Sequence, residues 1–334
     1  MIDAARAAGF HRAGLADPVR LSRWSPGIAA RAPRWMEPEW VVHPEGWAGS
    51  LTILVCALSC RRDEPDDLSS PGDPHALIAP FARRGHYAAA AGMMRAILRR
   101  LGQEAGFSAR AARIFVNSRI PEKPLLAATG LGSYGKNGLL IVPGLGSLFV
   151  IAGCVLPFRA AESAAPVASD PPGFPSCGSC ERCMTACPVE AIVEPGVVDP
   201  DRCLQGLAEK PLLLASDVME RWGCRLYGCQ DCQSVCPHNA GLAELAPACP
   251  GEIGPSVSLR RVLAQGTGGV KEMFRGTPMG MSRIPPVALL RNALIAAGNR
   301  GDPILRKEIE RYQGHGELVL QETARWALAR LAAR

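Results

Sequence analysis

Continuous apolar runs and helix-period segments alternate through the first half of the chain. The runs LTILVCAL at 51–58, LLIV at 139–142 and LFVIA at 148–152 read as strands, because short aliphatic stretches bounded by turn formers suit a buried strand. Between them, HYAAAAGMMRAILRRL at 86–101 can line one face with apolar residues and turn its arginines outward, the pattern of an amphipathic helix. Residues 1–157 therefore predict an α/β or α+β domain. The stretch 158–176 is rich in Ala, Ser and Pro without periodicity and reads as a surface linker. Residues 177–250 form a cysteine-rich module, and a Gly/Pro-rich stretch follows it. IPPVALLRNALIAAGNR at 284–300 and LVLQETARWALARL at 318–331 then predict two amphipathic helices, with RKEIER at 306–311 marking a third. Small residues on their apolar faces allow close packing, of which a HEAT-type helical repeat is one form, so 251–334 is read as a helical domain.

Composition narrows the class of protein. With 334 residues and 48% apolar content, the chain suits a packed protein of two or three domains. MIDAARAAGF at the start lacks an apolar signal core, and no uninterrupted apolar stretch approaches ~18 residues. A cytoplasmic monomer with no membrane association is the expectation. Residues 252–334 carry thirteen Lys or Arg against seven Asp or Glu, an excess of +6 that equals the formal net charge of the whole chain. A basic helical tail can attract a polyanion such as RNA, or it can be a solvated Arg-rich face.

The cysteines carry the clearest chemistry. Cys177, Cys180, Cys183 and Cys187 stand in a C-x2-C-x2-C-x3-C-P run, and Cys229, Cys232 and Cys236 in a shortened C-x2-C-x3-C-P. The longer run supplies three thiolates to one four-iron four-sulfur cluster and sends its fourth to a second. Cys203 stands ready as the missing ligand of the shorter motif. The expected sets are Cys177, Cys180, Cys183 and Cys236 for one cluster, and Cys187, Cys203, Cys229 and Cys232 for the other. Paired zinc sites also use C-x2-C spacing, but the fourth Cys and the following Pro are ferredoxin features. A disulfide framework does not suit a reducing compartment. Of the thirteen cysteines, Cys56, Cys60, Cys154, Cys224 and Cys249 remain, read as small buried hydrophobes.

Three further segments carry a resemblance: GLGSYGKNGLLI at 130–141 with GSLFV at 146–150, RLYGCQDCQSVCPHN at 225–239, and RNALIAA at 291–297 with TARWAL at 323–328. In these the chain resembles the epoxyqueuosine reductase family of tRNA queuosine maturation and, more distantly, the reductive dehalogenases. The resemblance implies a flavin-free, nitroreductase-like domain holding cobalamin beside a ferredoxin-like two-cluster module. It also implies tRNA as a partner of the basic helices and an external electron donor of ferredoxin or flavodoxin type. Taken alone, Gly130 and Gly132 are a tight entry into a strand, and the segment is no dinucleotide fingerprint because it precedes a strand instead of following one. In the family context Gly130 and Gly132 let a macrocycle come close, while Lys136 and Asn137 can hydrogen-bond its rim.

The reaction so implied is a reductive elimination: the clusters bring cobalamin to Co(I), and an epoxide loses its oxygen as water to leave an alkene. Family members carry a proton-donating Asp in a V-D-T-type segment, which here reads FVNSRIPEK at 115–123 and puts Asn117 in its place. An amide can position a substrate but has no proton to give in the useful range. Tyr134, Glu122 and Lys123 are the replacement donors to weigh, Tyr134 also being readable as a pocket wall and Glu122 with Lys123 as a solvated pair. His86 reads as a surface residue at a helix start. The alternatives to epoxyqueuosine reduction are a corrinoid-dependent reduction of another substrate and a two-cluster electron-transfer protein without its own substrate.

Overall fold

The computed structural model describes residues 1–16, 51–158, 160, 174–242, 246–249 and 251–333. Most of the expected linker at 158–176 lies outside them. The chain divides into two compact units, the first from Met1–Arg61, His86–Cys180 and Pro237–Ala248, the second from Arg62–Gly85, Glu181–Cys236 and Cys249–Arg334.

The helices of the first unit are α1 (Ile2–Ala7), α2 (His86–Ala105) and α3 (Glu122–Ala128). Its main strands are β1 (Arg12–Ala16), β2 (Thr52–Ser59), β4 (Arg113–Val116) and β7 (Phe149–Leu156). They form one sheet in the order β1-β2-β7-β4, every neighbouring pair antiparallel. The central strands β2 and β7 are buried almost throughout, which is why they read as unbroken apolar runs instead of alternating ones. Helix α2 packs on β4 and β7, and α3 packs on β1, β2 and β7. Ile53, Val55 and Ala57 of β2 meet Leu125 and Leu126 of α3 in one apolar cluster. The Ile, Val and Leu side chains among these each contribute about 1.5–3 kcal/mol on full burial. Cys56, Cys60 and Cys154 are buried as expected, and burial pushes the Cys154 thiol up to about 12, keeping it an inert hydrophobe. His86 departs from expectation: it opens α2 fully buried, not on the surface.

The second unit joins segments that the linear reading separated. Strand β3 (His75–Ile78) pairs parallel with β10 (Arg225–Tyr227) and antiparallel with β11 (Ser256–Ser258). Residues 62–85 therefore pack with the cysteine-rich and C-terminal segments, because that is where the backbone groups of β3 find their partners. Buried Arg83 and Arg84 support this arrangement through ion pairs with Glu64, Asp66 and Glu252. The helical segment holds α8 (Leu259–Met273), α9 (Pro286–Arg300), α10 (Arg306–Glu310) and α11 (Leu318–Ala332). Three of these were expected. Helix α8 occupies part of what read as a Gly/Pro-rich stretch; Ser258 caps it by accepting from the Arg261 amide, and Leu259, Val262, Leu263 and Val270 are buried. Gly266, at φ 58°, marks a kink within it. Helix α9 packs on α8 and α11, and α10 packs on α11. Among the described residues no helix is long and apolar enough to cross a membrane.

Candidate functional site

In the first unit the polypeptide leaves β4 at Asn117, which adopts φ 50°. Asn tolerates the left-handed region better than most residues do, so the turn suits the residue found there. The Ser118 amide then donates to Glu122 Oε1 at 3.0 Å, and the Ile120 amide to Ser118 Oγ at 3.1 Å. Glu122 thus anchors the loop that carries Asn117. Lys123 does not pair with Glu122 through these bonds; its ammonium donates to the Gly138 carbonyl at 3.0 Å. Its side chain touches solvent, yet the surrounding protein desolvates the ammonium and pulls its pKa down.

The Gly-rich segment forms a hairpin of β5 (Ser133–Tyr134) and β6 (Leu140–Ile141). Gly130, at φ 73°, ends α3 with its amide on the Ala127 carbonyl. At Gly132 an added Cβ would lie 2.6 Å from the Ile141 carbonyl oxygen. Both glycines thus serve the protein's own turns. Asn137 Oδ1 accepts from the Leu139 amide at 3.1 Å, which fixes the orientation of the side-chain amide. Lys136 and Asn137 are both buried, and Tyr134 packs half-buried on the apolar cluster of α3. Burial raises the phenol pKa, so Tyr134 keeps its proton across the physiological range. Gly130 and Gly132 are accounted for without a ligand.

The structure brings this hairpin to the first cysteine motif. The Lys136 amide lies 3.5 Å from Cys177 Sγ as a hydrogen-bond donor, and the hydroxyls of Ser133 and Ser176 are 2.8 Å apart. Residues following the second motif dock in the same unit: His238 Nε2 meets the Ser176 carbonyl at 2.6 Å, and Asn239 Oδ1 accepts from the Ser147 amide at 2.7 Å. Gly146 sits beneath that contact at φ 64°, where a Cβ would come 2.2 Å from Asn239 Oδ1. Asn239 and Gly146 stood in the sequence only as parts of longer motifs, and nothing in either motif signals their pairing.

Cys177 and Cys180 belong to the first unit, and the other six expected ligands belong to the second. There the short helices α4 (Arg182–Thr185) and α7 (Asp231–Ser234), one from each motif, pack together. The hairpin of β8 (Ile192–Glu194) and β9 (Val197–Val198) leads to Cys203, the N-cap of α5 (Leu204–Ala208). Burial, then the neighbouring thiolates of Cys229, Cys203, Cys183 and Cys187, push Cys232 up to about 12. Burial likewise raises Cys229 to about 11, although the nearby Arg225 guanidinium pulls the other way. Cys232 thus lies among sulfurs of both cysteine motifs and of Cys203. Sulfur here also accepts backbone bonds, as from the Ala191 amide to Cys187 Sγ at 3.2 Å. Among the described residues no three His, Cys, Asp or Glu side chains form a group that could hold a metal ion, so the pairing of ligands rests on spacing alone. Cys224 and Cys249 are only half-buried, less enclosed than a core hydrophobe.

Residues 176–239 match the family model of a 4Fe-4S double cluster binding domain. The epoxyqueuosine reductase of Xanthomonas campestris is 30% identical over 255 residues, which span 70% of this chain and 68% of the relative. That of Vibrio cholerae is 28% identical over 341 residues, 96% of this chain and 88% of the relative. A crystal structure of epoxyqueuosine reductase with an epoxyqueuosine-modified tRNA-Tyr stem loop shares the fold, with a TM-score of 0.76 at 22% identity over 99% of this chain and 88% of that one. On these matches the chain belongs to the epoxyqueuosine reductase family, whose members are oxidoreductases.

Proposed function

We propose that the protein reduces an epoxide borne on a tRNA nucleoside, drawing electrons through two four-iron four-sulfur clusters to cobalamin held in the first unit. The observation that carries this reading is the bond from the Lys136 amide to Cys177 Sγ, because it sets a cluster ligand against the loop read as the corrinoid rim. Bound cobalamin would supply the two-electron reduction that opens the epoxide, and with two protons the oxygen leaves as water and an alkene remains. Lys136 and Asn137 hold the cofactor's polar rim. Asn117 orients the substrate, and Tyr134 supplies the proton that the family's Asp would give. The solved tRNA complex of a fold relative supports a tRNA substrate. Within the tail, Arg261, Lys307 and Arg311 are exposed, whereas Arg283, Arg300 and Arg330 pair with Glu209, Asp67 and Glu220. The charge available to RNA is therefore smaller than the tail's composition suggests. To this reading belong a nitroreductase-like first unit, HEAT-like packing of α8 to α11, a cytoplasmic monomer, and a ferredoxin- or flavodoxin-type donor.

Asn117 favours one second reading, the same electron path acting on a different substrate. The cofactor assignment is tested by titrating purified protein with cob(II)alamin and recording its paramagnetic resonance. A spectrum altered from that of the free cofactor is expected, and weakened binding in Lys136→Ala. An unchanged free-cofactor spectrum would remove the corrinoid from the account.

A further inference from the structure

Helix α9 carries a cation that no RNA-facing surface would hide. Arg291 is 0% exposed. Its Nη1 donates to the carbonyls of Lys210 and Leu212 at 2.8 and 2.9 Å, and its Nη2 to that of Leu207 at 2.8 Å. Nη2 and Nε complete the set on Asn292 Oδ1 at 2.6 and 3.1 Å. Every one of these acceptors is a neutral oxygen, and none is a carboxylate. The guanidinium also lies over the Trp222 ring, 5.3 Å from its centroid. A buried charge without a counter-charge costs several kcal/mol, and proteins as a rule pair such groups. Burial accordingly pulls the Arg291 pKa down to about 10.

What Arg291 touches is informative. Leu207 lies one turn from Cys203, to whose carbonyl its amide is bonded at 2.9 Å. Asn292 adds a bond to the Ala208 carbonyl, so the end of α5 is held by two adjacent α9 residues. Trp222 ends the other segment, α6 (Ser216–Arg221), which runs on through β10 to Cys229. Asn299 of α9 grips that segment at the Met219 and Gly223 carbonyls, 2.7 and 2.9 Å away. One helix face thus fixes both elements that present Cys203 and Cys229, two thiols expected on the same cluster. A four-iron cluster with four thiolates carries a net charge of about −2, which becomes about −3 on reduction. No such negative charge stands among the hydrogen-bond partners of Arg291.

We propose that Arg291 is the positioning residue and buried counter-charge of the cluster bound by Cys187, Cys203, Cys229 and Cys232, and that it raises that cluster's reduction potential. The proposal rests on the ligand reading of Cys203. A fixed positive charge favours the state that has gained an electron, so removing it makes reduction harder. The test is a redox titration of the anaerobically reconstituted full chain, followed by paramagnetic resonance with dithionite as reductant. In Arg291→Gln and Arg291→Met, one of the two clusters should show a reduced-to-oxidised ratio at least tenfold lower at a given potential, about 59 mV for a one-electron couple. The second cluster should titrate as in the parent. Arg291→Lys, which keeps the charge, should return the ratio to within about threefold. Arg291→Gln serves if the Met variant fails to fold, since it retains polar reach towards the carbonyls. If Cys203→Ser keeps both clusters, the ligand reading fails. If Cys203→Ser loses one cluster while Arg291→Gln leaves both midpoints unmoved, the counter-charge fails, and loss of the cluster in Arg291→Lys as well would reduce Arg291 to packing.

Discussion

Cys187, Cys203, Cys229 and Cys232 in the second unit, and Asn117, Tyr134 and Lys136 in the first, make opposite demands on sequence. A cluster is held by one residue type at set intervals, so the intervals alone declare it. The site proposed for the first unit instead rests on a left-handed turn at Asn117, a hairpin between Ser133 and Ile141, and a backbone amide directed at Cys177 Sγ. Almost any sequence with turn formers there would look similar. The difference teaches that cluster binding in this chain is readable from spacing, while the site proposed in the first unit depends on loop geometry that spacing does not declare.

The sharpest way to break the contrast is to remove one ligand. Cys203→Ser should leave about four of roughly eight irons per chain and abolish turnover. Iron and sulfide analysis checks it, and two intact clusters would return Cys203 to the ordinary thiols. Next in size is proton delivery. Losing a general acid slows an enzyme by roughly 10²–10⁴-fold, so Tyr134→Phe should do the same while cobalamin affinity stays near the parental value. Because burial raises the Tyr134 pKa, the phenol holds its proton throughout neutral and mildly alkaline pH, and the rate should show no fall there on its account. Lys123 is displaced the opposite way, so a rate that drops with rising pH, and loses that drop in Lys123→Met, would move the donor role to Lys123.

Smaller again is the effect of the docking contact. Gly146→Ala forces a Cβ against Asn239 Oδ1 at a positive φ, and Asn239→Ala strands the Ser147 amide. Each should destabilise the first unit by about 1–3 kcal/mol, read from denaturant midpoints, with iron content unchanged. An equal loss of iron would mean that the docking contact also governs the clusters.

Legibility followed the same division in the fold. Helices α9 and α11 were evident because long apolar periodicity survives any context, and β2 and β7 because two-sided burial demands unbroken apolar runs. Helix α8 was obscured by Gly266, Gly268 and Gly269, which lower helix propensity while four buried aliphatic residues decide the outcome. The short strand β3 was not read at all and fell simply within 1–157, since four residues say nothing of partners some 150 residues away. Arg291 read as part of a basic tail, yet it is buried against carbonyls of the cysteine-rich segment. Charge counted along a chain does not tell which charges reach solvent.

The central claim is that a reductase of the epoxyqueuosine type survives the exchange of an acid for Asn117. It is tested most directly by incubating the anaerobically reconstituted, cobalamin-loaded protein and a strong reductant with tRNA containing epoxyqueuosine, then analysing the nucleosides by mass. The account predicts conversion to queuosine with loss of one oxygen, abolished in Cys203→Ser and strongly slowed in Tyr134→Phe. Epoxyqueuosine recovered unchanged from a protein whose clusters and corrinoid are demonstrably reduced would contradict it.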